Sequence, residues 1–258
     1  MSRTKRLNAT RFYGTTGMKG QREKVYVGTS GYSYFWNPGK PTPFRWYLTQ
    51  GFNSVEINAS FYRFPTPSWA KAWTIAPDGF EFSIKVHRSI THYAKLGGKA
   101  EQLWTRFLEP LKPIERRVSF WLFQMPPNYV HKSQNVDRVR KFVKLAGLGN
   151  KAVFEFRHPS WWKGVKDVRD AGAAFCSVDG PELPREILTV NDVVYLRLHG
   201  REVWYNYVYS EEELDEFLSK VISLKASKKA IYLNNDPGML ENGIYLLKKL
   251  AAPPKYDS

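Results

Sequence analysis

Five pairs of polar residues, each two positions apart, interrupt runs that are otherwise apolar: Glu56 and Asn58, Lys85 and His87, Glu155 and Arg157, Ser177 and Asp179, and Arg197 and His199. Their neighbours Val55, Ile57, Ile84, Val86, Phe154, Phe156, Leu196 and Leu198 are apolar. Side chains alternate across a strand, so the two members of each pair share one face. Ionisable groups gathered on one face of several strands can move protons or hold anions. Glu155, His87, Asp179 and His199 are the candidate acids and bases. Lys85, Arg157, His158 and Arg197 are the candidate holders of phosphate, with Asn58, Gln124 and Asn235 as polar partners and Tyr32, Tyr62 and Trp161 as stacking surfaces. Glu56, Glu155, Asp179 and His199 form a candidate ligand set for a divalent ion, Mg²⁺, Mn²⁺ or Zn²⁺, although the cations among them compete for the carboxylates.

These residues lie at regular places in a repeating pattern. From residue 25 onward, short apolar runs alternate with longer helical stretches, the signature of βα units around a parallel sheet. The predicted strands are 25–30, 54–59, 80–87, 118–124, 152–157, 173–179, 193–200 and 230–235. Amphipathic segments such as "VDRVRKFVKLAG" and "SEEELDEFLSKVISLKA" fall between them, the second opened by Ser210 as a helix cap. Eight units in one domain, 25–258, predict a single (β/α)8 barrel of the TIM type. Helices must cover the outer face of such strands, so the polar pairs are expected to point inward, with strand-end residues at the C-terminal mouth where barrels place their sites. A charge inside a barrel costs several kcal/mol unless paired, so Glu56, Lys85, Glu155, Arg157 and Arg197 are expected to form a network.

Composition narrows the partners. The chain has 258 residues, 43% of them hydrophobic, and a formal net charge of +15. Residues 1–24 carry seven cations against Glu23 alone and are expected to form a flexible basic arm, while the barrel keeps the rest of the excess. Such a surplus favours polyanionic partners, although surface ion pairing also enriches lysine and arginine. The single Cys176 excludes an intrachain disulfide and a cysteine-based zinc site. No apolar run approaches the roughly 18 residues of a membrane span, and no signal-peptide core follows the basic start, which predicts a cytoplasmic protein with no membrane partner. Walker A, HExxH and GxSxG patterns are absent. The loops "GYSYFWNPG", "FYRFP", "HRSITHYAK", "HPSWW" and "GREVWYNYVYS" mix aromatic rings with cations, which suits nucleic acid, nucleotides or phosphorylated sugars.

In order along the chain, "VGTSGYSY", "VEINASFYRFP", "FSIKVHRSITH", "LFQMPP", "FEFRHPSWW", "YLRLHGR" and "YLNND" resemble the motifs of the DUF72 (YecE-like) family. The resemblance spans about residues 25–250 and implies a TIM barrel, but no reaction, because the family is one of unknown function. The basic arm lies outside it.

Three functions fit these residues. The first is a nucleic-acid-processing hydrolase, a metal-dependent nuclease in its sharpest form, with Arg157, Arg197 and Lys85 on phosphate, His87 or His199 as acid, and Glu155 or Asp179 as base or metal ligand. The second is an enzyme acting on a small phosphorylated or sugar-like molecule, with Lys85 or a Glu/His pair moving protons beside a carbonyl. The third is a non-catalytic nucleic-acid-binding protein.

Overall fold

The structure is a computed structural model that describes residues 24–252. The basic arm expected over 1–24 therefore lies, apart from Lys24, outside the described residues. Among the described residues nine strands occur: β1 (Val25–Thr29), β2 (Ser54–Ile57), β3 (Glu81–Lys85), β4 (Val118–Gln124), β5 (Ala152–Glu155), β6 (Ala174–Asp179), β7 (Thr189–Val190), β8 (Val193–Leu198) and β9 (Lys228–Leu233). Eight of them pair in parallel in the order β1, β9, β8, β6, β5, β4, β3, β2, and the two-residue β7 pairs antiparallel with β8. The expected barrel is present, with helices between the strands.

The helices are α1 (Pro43–Thr49), α2 (Ala59–Tyr62), α3 (Pro67–Trp73), α4 (Ala100–Leu108), α5 (Ser133–Ala146), α6 (Val165–Asp170), α7 (Glu211–Ser223) and α8 (Met239–Ala251). Each longer one buries a single apolar stripe, such as Leu214, Phe217, Leu218 and Val221 on α7. Ser210 opens α7 with a reciprocal capping box, its hydroxyl accepting from the Glu213 N–H while the Glu213 carboxylate accepts from the Ser210 N–H. No helix lies between β6 and β8, where a loop and β7 make the connection. Among the described residues no helix is long and apolar enough to cross a membrane.

The barrel is a ring with one seam. Between β1 and β2 the ladder shrinks to a single bridge, Ser30 with Glu56. Backbone groups along the rest of that seam would be left without partners inside the protein, which is costly. Side chains satisfy them instead. The Asn53 carboxamide accepts from the Val27 N–H at 2.8 Å and donates to the Val25 carbonyl at 3.0 Å. The Tyr47 hydroxyl accepts from the Thr29 N–H at 3.0 Å and donates to the Ser54 carbonyl at 2.9 Å. Gly28 allows the close approach, because a Cβ there would collide with the Ser54 backbone.

The barrel interior is layered. Its floor is Phe120, Val153, Ala174, Val193, Tyr195, Ala230 and Tyr232. Two phenols tie this floor across the barrel, Tyr232 to Ser54 Oγ and Tyr195 to Ser83 Oγ, each at 2.7 Å. Charged groups sit on top.

Candidate active site at the barrel mouth

Arg197, on β8 and fully buried, is the hub of the charged layer. One guanidinium nitrogen donates to Glu56 Oε1 at 2.6 Å and the other to Glu155 Oε2 at 2.5 Å. Glu56 also accepts from the Ser30 hydroxyl at 2.7 Å and from the Tyr195 hydroxyl at 2.6 Å. Arg157 Nε closes on the second oxygen of Glu155. Burial works against charge on Glu155, but Arg157 and Arg197 outweigh it and hold the carboxyl well below its ordinary range. Both carboxylates are therefore fully engaged, and the expected network is present.

His199 lies above this pair, its Nε2 3.1 Å from Arg197 and 3.3 Å from Arg157. Burial and these two guanidiniums push its pKa well down, so the imidazole is neutral. Nε2 must then accept from the guanidiniums, while Nδ1 lies 2.9 Å from the Asn234 amide nitrogen; a proton on Nδ1 requires the carboxamide to be turned so that its oxygen faces the ring. The Trp204 and Tyr205 rings roof the site, each with its centroid 5.3 Å from that of His199. The Arg157 guanidinium lies 4.3 Å from the Trp204 ring centroid. The loop bearing these rings folds back at Gly200, whose φ of +108° and close contact with the Val203 carbonyl exclude a side chain.

Lys85 is different from the other cations. Its Nζ makes no hydrogen bond or ion pair among the described residues and lies 4.4 Å from the Phe61 ring centroid. Burial, then Arg197, lower its pKa to about 7 against the pull of Glu155 and Glu56. His92 stands nearby on a π-helical turn, Ser89–Tyr93, with its pKa brought down to about 4 by burial and by Lys85. An amine that titrates near neutral pH and an imidazole that is uncharged there thus share the mouth with two fixed guanidiniums. Of these groups Arg157 lines a cleft of about 480 Å³, together with residues that include Gln124, Glu182, Trp204 and Tyr205.

The family model described as "Protein of unknown function DUF72" matches residues 26–253, which contain every residue of this site. The chain belongs to the DUF72 family. The UPF0759 protein YunF of Bacillus subtilis (strain 168) is 23% identical over 267 residues, covering 88% of this chain and 94% of that protein. A crystal structure of a DUF72 family protein from Thermotoga maritima is similar with a TM-score of 0.76 and 29% identity, over 88% of this chain and 99% of that one. D-psicose 3-epimerase, solved in the presence of D-fructose, shares the barrel alone, with a TM-score of 0.54 at 12% identity over 86% of this chain and 97% of that one.

Of the residues predicted for the site, the DUF72 barrel brings together Glu56, Lys85, Glu155, Arg157, Arg197 and His199, with Asn58 and Gln124 at its edge. Asp179 and Ser177 are corrections, because they face outward. Cys176 and Val178 hold the inner face of β6, while Ser177 Oγ accepts from the Leu188 N–H at 2.9 Å. Asp179 accepts from the Tyr209 hydroxyl at 2.6 Å and lies 3.9 Å from Arg201, with burial raising its pKa. The unit after β6 has no helix, so a polar loop covers that outer face and the rule of apolar outside, polar inside reverses.

His87 does not join the cluster either. It stacks 4.2 Å from the Phe64 ring centroid, and its Nδ1 accepts from the Ser89 N–H. His158 caps the short helix Pro159–Trp162 in the same way, accepting from the Ser160 N–H. Trp161 is fully buried, stacked on Phe156 with its indole N–H on the Tyr129 carbonyl, and is core rather than a ligand surface. Asn235 faces outward and ties the Tyr207 carbonyl to Asn242; its neighbour Asn234 is the one in the site. Tyr32 accepts from the Trp73 indole outside the charged layer, and Tyr62 is exposed on the rim.

The candidate metal set is not assembled. Asp179 points away from the other three, and arginines occupy both Glu56 and Glu155. Among the described residues no group of three or more His, Cys, Asp or Glu side chains is placed to hold a metal ion. The residues present therefore do not fit the divalent ion, and no step is routed through one. Ser30, His92, Trp204, Tyr205 and Asn234 are not among the candidate site residues, although Ser30 and Asn234 lie in the family motifs and the other three in the aromatic loops read from the sequence. Asn234 was readable, since it keeps the strand parity of Tyr232; the others lie in loops or at strand ends, where period-two alternation gives no direction.

Proposed function

We propose that the barrel mouth acts on a small anionic, sugar-like carbonyl compound, with Arg157 holding the anionic group and Lys85 taking a proton from the carbon beside the carbonyl. The observation that carries this is the placement of Lys85 Nζ, without a hydrogen-bond partner, beside carboxylates that Arg197 and Arg157 together already neutralise. An uncharged amine is a base near neutral pH, and a buried one beside fixed cations keeps that form. His92 and His199, also neutral, can polarise or relay to the oxygen that becomes negative as the proton leaves. Lys85 and His199 are almost wholly buried, which suits a molecule that enters the mouth whole rather than a polymer lying across it.

The test is solvent exchange. Phosphorylated and free aldoses and ketoses are incubated with the protein in D₂O, and loss of the α-proton signal is followed by NMR. Exchange that is abolished in Lys85→Met and has a raised KM in Arg157→Ala is the expected result. Absence of exchange with every compound overturns the proposal.

A nucleic-acid-processing hydrolase is the second function, favoured by one specific feature of the rim. Arg88 lies 5.8 Å from the Tyr62 ring centroid and 5.9 Å from that of Tyr93, and both rings are exposed. Such a group can stack bases while the net charge of +15 attracts the backbone. Cleavage of end-labelled DNA and RNA, with and without Mg²⁺, Mn²⁺ or Zn²⁺, that Tyr62→Ala and Tyr93→Ala weaken would establish it. Binding without cleavage would leave only a nucleic-acid-binding role.

A further inference from the structure

Two side chains that line the cleft of about 480 Å³ keep free donors at the ends of the adjacent strands β4 and β5. Arg157 directs Nε to Glu155, and its Nη2 faces His199 and the Tyr205 hydroxyl. Its third nitrogen, Nη1, has no hydrogen-bond partner among the described residues and is not closed off from solvent. Gln124 ends β4 directly opposite Glu155 in the strand register. Leu122, two residues earlier, lies on the inner face, so the Gln124 carboxamide shares that face with Glu155 and Arg157. It too is half-buried and makes no hydrogen bond among the described residues.

The charges around these donors discriminate between anions. Arg157 is the one cation and Glu182 the one carboxylate among the residues that line the cleft. Behind them Arg157 and Arg197 face Glu56 and Glu155, two positive charges against two negative. An entering anion therefore meets a guanidinium that is already neutralised and a rim carboxylate that repels it. The hydration an ion loses on burial grows as the square of its charge, and a phosphate monoester carries about −1.5 to −2 at neutral pH. A carboxylate carries a single charge on two coplanar oxygens, which Arg157 Nη1 and the Gln124 amide can serve together. Pro127, Pro159, Pro181 and Trp204 supply apolar wall for the body of the ligand.

We infer that the substrate of the mouth is a sugar acid and not a sugar phosphate, with its carboxylate held between Arg157 Nη1 and the Gln124 carboxamide. The sugar-like body rests on the proton-transfer function proposed for the mouth; the choice of a carboxylate and the part played by Gln124 do not.

The probes are D-glucuronate and D-galacturonate, compared with the 6-phosphates of glucose and galactose by calorimetric titration at neutral pH. At least one of the two uronates should bind saturably and about tenfold more tightly than its phosphate counterpart. Gln124→Leu should weaken that uronate about tenfold, the worth of one hydrogen bond to a charged group. Glu182→Gln should raise the affinity for the phosphates more than that for the uronates. Circular dichroism confirms the fold of both variants. Phosphates that bind as tightly as the uronates, uronate binding that Gln124→Leu leaves intact, or no saturable binding of either uronate overturns the inference. Proton exchange in D₂O is read separately. A uronate that binds without exchanging the proton beside its carbonyl removes Lys85 as the base and leaves the carboxylate site standing, while exchange of a sugar phosphate without binding of either uronate does the reverse.

Discussion

Lys85 Nζ lies 4.4 Å from the centroid of the Phe61 ring, with no hydrogen-bond acceptor among the described residues, in a layer where every other cation is tied to a carboxylate or a ring nitrogen. Burial and Arg197 bring its pKa from 10.5 to about 7, so the folded state binds fewer protons than the unfolded chain between those values. Stability contributed at this position therefore rises with pH across that window. Replacing Lys85 by Met should stabilise the protein by on the order of 1–3 kcal/mol at pH 7 and below, with the gain shrinking as pH climbs toward 10. Urea unfolding of both proteins across that range checks it, and a pH-independent difference would show an ordinary, charged lysine.

The opposite sign holds for Glu155. Its folded pKa lies well below 4.5, so the stability it supplies is present above that value and is lost as pH falls through the folded pKa. Glu155→Gln leaves Arg197 with half its charge partners and should cost about 3–5 kcal/mol at neutral pH. Unfolding curves from neutral to acid pH should also be flatter for the variant than for the wild type.

At the seam, Tyr47→Phe removes the hydroxyl that serves both the Thr29 N–H and the Ser54 carbonyl. The loss should be about 1–3 kcal/mol, the cost of stranding buried polar groups. Amide exchange measured by NMR should accelerate at Thr29 more than at Leu233, whose strand keeps its ladder.

The outward orientation of Asp179 is testable against the mouth. Asp179→Ala removes the acceptor of the Tyr209 hydroxyl and should lower stability by about 1–3 kcal/mol, while Arg201 keeps Glu213 and Glu216. It should leave unchanged the rate at which an amine-reactive reagent labels Lys85 at neutral pH, followed by mass spectrometry. A large change in that rate would place Asp179 in the electrostatics of the mouth.

The eight parallel strands and the inward direction of Glu56, Lys85, Glu155 and Arg197 were legible because apolar neighbours mark the outer face of each strand; the two-residue β7 was not. The same parity failed at Asp179, where a loop with its own polar demands replaces the helix. The histidines were misread for a related reason. An imidazole can accept a backbone N–H at a turn, as His87 and His158 do, and nothing in residue type separates that role from acid–base work. His92, which does reach Lys85, sits in a π turn that no periodicity announces. Trp161 shows the limit for aromatics, since one position decides between a core ring and a ligand surface.

The seam between β1 and β2 gives the barrel the mechanics of a split ring. Its one backbone bridge joins Ser30 to Glu56, and these two residues also belong to the ion network. The clasp of the ring, through their backbones, and part of the charged layer, through their side chains, are the same two residues. A change that draws the Glu56 carboxylate away from Ser30 therefore acts on the ring at the point where its backbone pairing is thinnest.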